Sequence, residues 1–235
     1  MLTIVLTRHG LTARSLPEQH LGQRIDEALS ADGRAQAARL GDRLAGVVFE
    51  RIIASPLIRA RETAVIVRAR ETAAIVRAAG TAQPEVELDP RLAEMDYGAW
   101  EGLTYPEIDR RDAAERERWE ADPATCACPA GESGDDVAAR ARAFLIDLIV
   151  WHGARHGADS ADERPVLAVG HSSLNRVLVC VAIGIEIREF RRRFSQDQAN
   201  LTVLRFEHGV GPADARLVLL NDTSHLRMPG ETPWA

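Results

Sequence analysis

Short apolar, β-branched runs alternate along this chain with longer segments of helical period, and that alternation restricts the fold more than any other feature. The strand candidates are Leu2–Thr7, Arg51–Ala54, Val86–Leu88, Pro165–Val169, Leu201–Phe206 and Arg216–Leu220. Strands linked by helical crossovers pair in parallel and are buried on both faces. The expected class is therefore α/β: a three-layer, open, mostly parallel sheet flanked by helices, in a single domain over residues 1–235. Between the first two strands Ser30 can cap a helix whose positions Ala37, Leu40, Gly41 and Leu44 recur at i, i+3, i+4 and i+7. Ser55-Pro56 reads as a helix start, with Ser as N-cap and Pro at the first helical position. A long helix is expected from Asp135 to Arg155, followed by a surface loop over Gly157–Arg164.

Two segments break the pattern. Tyr97–Ser133 is polar, proline-bearing and charged over Asp109–Glu120, so it is expected to leave the sheet as a small, mainly helical cap insertion rather than to join the core. Residues 59–76 are a tandem duplication, Arg-Ala-Arg-Glu-Thr-Ala-Val-Ile-Val followed at once by Arg-Ala-Arg-Glu-Thr-Ala-Ala-Ile-Val. Nine residues is about two and a half helical turns, so a continuous helix turns the second copy's apolar stripe to the opposite side. Either the helix runs long with two apolar faces or one copy bulges out. The extra face could serve a partner subunit, which leaves a homodimer open.

Composition removes whole classes of function. The 235 residues carry a net charge of −6, and all 29 basic residues are Arg. That balance argues against binding nucleic acid or a membrane surface, and no apolar run approaches the ~20 residues of a membrane span. The opening Met1–Leu6 reads as a buried strand rather than an export leader, so the cytoplasm is the expected compartment. Cys126, Cys128 and Cys180 are too few for a disulfide framework or a structural zinc site, and reduced thiols are expected.

Three polar clusters occupy one kind of position. Thr7-Arg8-His9-Gly10 ends the first strand, Ser55 to Arg59 follows the second, and Gly170-His171-Ser172-Ser173 follows the fourth. Ligands of open α/β sheets bind at the carboxyl ends of strands. Two His and two Arg gathered there, with helix N-termini behind them, make a cationic pocket suited to a phosphoryl group.

Those residues carry a resemblance. Arg8-His9-Gly10 after an N-terminal strand resembles the opening motif of the histidine phosphatase superfamily, the phosphoglycerate-mutase-like proteins. Ser55-Pro56-Leu57-x-Arg59-Ala60-x-Glu62-Thr63-Ala64 is similar to its second motif. Arg91-Leu-x-Glu94-x-x-x-Gly98-x-Trp100-Glu101-Gly102 is similar to its third, and Gly170-His171 to its fourth. Gly131-Glu132-Ser133 with Asp136 and Arg140 resembles the segment before the family's long helix. The resemblance implies that His9 is the nucleophile that becomes phosphorylated, that Arg8, Arg59 and His171 hold the phosphoryl oxygens, and that Glu94 is the proton donor. Phosphoryl transfer depends on positioning and charge stabilisation, which such a set supplies without a metal or other cofactor. An acid acting near neutral pH calls for a partly desolvated site at Glu94.

The sequence also departs from the family pattern. Leu11 and Ser15 stand where Glu and Asn are common, while Thr12 is retained. Leu21–Asp26 fits its glycine-to-aspartate stretch only loosely. Thr12, Ser15, Arg24 and Ser172 are the expected substrate contacts. Of the two repeat arginines, Arg59 keeps the spacing to Ser55-Pro56 and Arg68 is expected to be peripheral. His152 and His156 have the spacing of a zinc pair without its catalytic Glu, so a solvated helix face is expected, as is a surface cluster at Arg191-Arg192-Arg193. The function implied is a metal-independent phosphomonoesterase acting on a small phosphorylated metabolite through phosphohistidine. A phosphoglycerate-type mutase and a catalytically silent phosphate-binding scaffold are the alternatives. The run Tyr97 to Gly102 resembles the phosphatase branch.

Overall fold

The computed structural model describes residues 1–17, 19–78, 83–156 and 162–227, with the backbone alone over 71–78. In chain order the elements are β1 (Leu2–Arg8), α1 (Ala31–Arg43), β2 (Arg51–Ala54), α2 (Ile58–Ala78), β3 (Val86–Leu88), α3 (Tyr105–Arg111), α4 (Ala113–Ala121), α5 (Gly134–Arg155), β4 (Val166–Gly170), α6 (Ser172–Ile183), α7 (Phe190–Arg193), β5 (Leu201–Phe206) and β6 (Arg216–Asp222). The sheet order is β3-β2-β4-β1-β5-β6. β3, β2, β4 and β1 are parallel, and β5 runs against both β1 and β6.

The two-residue period of the strands divides the core. Ile4, Leu6, Ile53, Val166 and Ala168 face one side and pack with Phe144, Leu148, Leu174 and Val177 of α5 and α6. Their neighbours Val5, Ile52, Ala54, Leu167 and Val169 face the other side, against Leu40 of α1 and Ala60, Ala64 and Val67 of α2. This is the expected three-layer arrangement. Register then sets the site. Arg8 lies opposite Gly170, and both Thr7 and Ala54 lie opposite Val169, so Arg8, Ser55 and His171 leave the sheet side by side.

Helix ends follow local chemistry. The Ser30 side chain accepts from Gly33 N–H at the start of α1, and Ser133 with Asp136 forms a reciprocal capping box on α5. α2 starts later than Ser55-Pro56 suggests. The Ile58 N–H donates to Asp26 Oδ1 at 2.7 Å, and Ser55 Oγ accepts from Leu57 N–H at 3.3 Å in the turn that precedes the helix. The duplication does not bulge: α2 is one continuous helix of 21 residues. Its first copy buries Ala60, Thr63, Ala64 and Val67 and exposes Val65, while the second copy's side chains from residue 71, like 157–161 of the expected surface loop, lie outside the described residues.

Two expectations about burial need correction. The 97–133 segment is helical, through α3 and α4, but it belongs to the core. Trp100, Trp119 and Ile108 are fully buried in the same cluster as α5 and α6. The Trp100 and Trp119 rings meet edge to face at 5.7 Å, and the His20 ring lies 4.1 Å from that of Tyr97. His152 and His156 are not on a solvated face either. Both are buried, and His156 Nε2 lies 2.8 Å from a buried carboxylate oxygen of Glu50, a partner 106 residues away. Cys126, Cys128 and Cys180 are free thiols. No helix among the described residues is long and apolar enough to cross a membrane.

Candidate active site

At the carboxyl end of β1 the chain turns through His9 and Gly10. Gly10 is required by a close approach: a Cβ there would stand 2.4 Å from the Gly33 carbonyl oxygen at the start of α1. The turn lets His9 Nδ1 meet the Gly10 carbonyl at 2.7 Å. A carbonyl only accepts, so Nδ1 carries the proton and Nε2 keeps its lone pair. The His171 ring stands 5.1 Å away, centroid to centroid. Its Nε2 pairs with Ser55 Oγ at 2.8 Å, and its buried Nδ1 has no hydrogen-bond partner.

Arg59, from the first turn of α2, is fully buried beneath these rings. Its guanidinium donates to the carbonyls of Leu21, Gly22 and Ile25, and its Nε has no partner. The loosely matching stretch Leu21–Asp26 therefore has a definite task, which is to cradle this cation. Glu101 holds that loop by accepting from the N–H groups of Gln23, Arg24 and Ile25. Burial works against the Arg59 charge, and the carboxylates of Glu94, Asp26 and Glu101 offset it. Arg8 is held by Nη1 donating to the Gln196 carbonyl at 2.8 Å.

Glu94 follows the short 3-10 turn Pro90–Leu92 and is 4% exposed, the desolvated position expected of it. Its carboxylate accepts from the N–H groups of Ser173 and Leu174, in the first turn of α6, and from its own neighbour Met95. Arg140 of α5 donates to the carbonyls of Arg91, Ala93 and Glu94 and to Glu132, which fixes the backbone that carries Glu94. The resemblance of the Glu132–Arg140 segment thus corresponds to a support for the acid, not to a contact with the cleft.

Burial first, then the charges of Arg59 and Arg8, holds His9 and His171 well below the usual imidazole range. Both rings are therefore neutral at ordinary pH. A neutral imidazole with a free lone pair, beside two fixed cations and opposite a buried carboxyl, can attack phosphorus and offset charge on the phosphoryl oxygens.

The cleft above His9 has a volume of about 290 Å³, and Arg8, His9, Ser15, Glu94 and Ser172 line it. Thr12 stands behind the wall, with its N–H and hydroxyl bonded to Ser15 Oγ. Arg24 is not brought to the cleft. It is half exposed and bonds Asp96 and the Ala130 carbonyl instead. Arg68 is peripheral, ion-paired with Glu85. Two lining residues escaped the sequence reading, Arg176 and Arg191. Arg176 lies one helical turn after Ser172, a spacing that puts both on one face of α6. Arg191 does not stay in a surface cluster. It turns inward, with its guanidinium carbon 4.3 Å from the Trp119 ring centroid.

The chain matches the family model described as "Histidine phosphatase superfamily (branch 1)" over residues 4–223. It is 34% identical over 201 residues to the glucosyl-3-phosphoglycerate phosphatase of Mycobacterium tuberculosis (strain ATCC 25618 / H37Rv), covering 86% of this chain and 84% of that protein. It is 33% identical over 224 residues to an acid phosphatase of the same strain, covering 94% and 93% respectively. The native structure of a mycobacterial glucosyl-3-phosphoglycerate phosphatase superposes with a TM-score of 0.79 at 30% identity, over 94% of this chain and 99% of that one. With the sheet order, the strand-end cluster and these likenesses in agreement, the chain belongs to the histidine phosphatase superfamily, branch 1.

Proposed function

We propose that this protein is a phosphomonoesterase that hydrolyses a small phosphorylated metabolite through a phosphohistidine on His9. The observation that carries this reading is the Nδ1–Gly10 carbonyl bond, which leaves Nε2 as the one basic nitrogen of the ring. In the first step Nε2 attacks phosphorus, the P–O bond to the alcohol breaks, and Glu94 gives its proton to the departing oxygen. In the second step water attacks the phosphohistidine, Glu94 takes back a proton, and the N–P bond breaks to release inorganic phosphate. Arg8 and Arg59 stay charged throughout and offset the oxygens in flight, while His171 offers its unpartnered Nδ1. The scheme uses no metal or cofactor. A cytoplasmic location goes with this reading, supported by the free thiols.

The direct test is to quench turnover of a ³²P-labelled ester and look for label on the protein. Acid-labile, base-stable label at His9 is the expected result, and its absence at any quench time refutes the mechanism. Glu94 has a separate signature. Glu94→Gln is expected to slow alkyl phosphates by about 10²–10³-fold, since their alkoxide needs a proton on leaving. An aryl phosphate with an acidic phenol should lose far less in the phosphorylation step, as seen in single turnovers. Equal losses on both esters exclude Glu94 as the donor.

A further inference from the structure

The cleft holds two arginines for which the mechanism above has no use. Arg176 makes no recorded ion pair or hydrogen bond to any described residue, and its Nε is buried without a partner. Arg191 donates to Glu120 at 3.2 Å and lies over Trp119, but its Nε too is buried and unpartnered. Beside them His20 Nε2 and Gln19 Oε1 are likewise buried without partners on the same cleft. Buried polar groups are nearly always bonded, so unbonded groups sharing one wall point to a ligand that completes them.

The charge balance says what kind of ligand. The carboxylates lining the cleft are Glu94 and Asp197. Glu94 is held by the N–H groups of α6, and Asp197 accepts from Asn221 Nδ2 at 2.9 Å. Neither is placed in contact with Arg176. One phosphoryl dianion is matched by Arg8 and Arg59, which leaves Arg176 and Arg191 as surplus cations in a partly desolvated wall. A cation so placed is costly unless an anion meets it. Two guanidinium forks suit a carboxylate or a second phosphate.

Building on the phosphatase reading, we propose that Arg176 and Arg191 form a second anion subsite that receives a negative group on the alcohol part of the ester. The protein then selects phosphomonoesters whose leaving group carries a second anion over those with a neutral alcohol. Arg176 and Arg191 are specificity residues, and the chemistry at phosphorus stays with His9 and Glu94.

The test compares two substrate pairs. 3-Phosphoglycerate and glycerol 3-phosphate differ only in a carboxylate against a hydroxymethyl group. Fructose 1,6-bisphosphate and fructose 6-phosphate differ by a second phosphate. A charge-assisted contact of ~1.5–3 kcal/mol corresponds to a kcat/KM preference of about 10–100-fold for the anionic member. Preference in the first pair assigns the subsite to carboxylate, and preference in the second pair alone assigns it to phosphate. Arg176→Gln is expected to bring the ratio to about one, and Arg176→Lys, which keeps the charge, to restore part of it. A uniform loss on both members of a pair marks Arg176 as structural and overturns the proposal. Equal kcat/KM in the unaltered protein overturns it without any variant, while phosphatase activity and label on His9 still stand. Failure to hydrolyse any ester, with no label trapped, strikes the phosphatase reading itself.

Discussion

His9→Ala is expected to lower kcat by about 10⁴-fold or more while leaving phosphate binding largely in place, the scale on which loss of a covalent nucleophile acts. The reasoning starts from tautomer geometry. The Gly10 carbonyl holds the proton on Nδ1, so the ring presents a single basic atom, Nε2, to the cleft. No nearby group can take its place. His171 Nε2 is committed to Ser55 Oγ, and Ser15 Oγ is bonded to the N–H and hydroxyl of Thr12. The anion site survives the change because Arg59 is fixed by three carbonyls of the Leu21–Ile25 loop and Arg8 by Gln196, none of which depends on the imidazole. The variant should therefore bind inorganic phosphate in a calorimetric titration and yet release none from an ester. Water could attack the bound ester directly, but it lacks both the covalent route and a general base in line, so only a residual rate is expected. A variant that retained more than a hundredth of the activity would place the nucleophile elsewhere.

What could be read from the residues divides by the range of the interaction. Arg8-His9-Gly10 and Gly170-His171 were legible because a strand that ends in a turn puts its next residues at the sheet edge, a local consequence of chain geometry. The alternation within β1 and β4 likewise announced two buried faces. Contacts between segments far apart in sequence were not legible. Three arginines in a row look like a solvated patch, and only the burial of Phe190 and the Trp119 ring turns Arg191 into the cleft. His156 looked exposed because nothing in its own helix reveals that Glu50 waits beneath it. The Leu21–Asp26 stretch appeared irregular because its carbonyls, not its side chains, hold Arg59, and backbone acceptors leave no trace in residue identity. Arg24 misled for the opposite reason. It had the right charge, but Asp96 and the Ala130 carbonyl draw it away from the cleft.

The buried imidazoles give the second large effect, an acid instability that runs opposite to the chemistry. Burial, reinforced by nearby arginines, holds His9, His20 and His171 below their ordinary 6.5, His20 at about 3. In the unfolded chain the same rings take up protons as pH falls through 6.5, while the folded protein does not. The unfolded state then binds more protons, so stability falls as pH drops below 6.5 and continues to fall until the folded pKa is reached. For His20 the loss between pH 7 and pH 5 is about 2 kcal/mol, from ~1.4 kcal/mol per unit below 6.5, and His9 and His171 add losses of the same sign. Marginal stability of ~5–15 kcal/mol makes this a large fraction. Urea unfolding at pH 7 and pH 5 should show it directly, and His20→Phe, which fits the aromatic surroundings of Tyr97 and Trp119 without titrating, should recover about 2 kcal/mol of the difference. Catalysis responds the other way. Because His9 stays neutral below 6.5, its lone pair remains available, and kcat/KM corrected for the substrate's own ionisation near ~6 should hold level as pH falls from 7 to 5. Inorganic phosphate should restore stability most strongly at pH 5, where an anion against Arg8 and Arg59 lets the rings accept protons. An acid limb at 6.5 in the corrected rate, or equal urea midpoints at the two pH values, would show that these imidazoles titrate as exposed ones do.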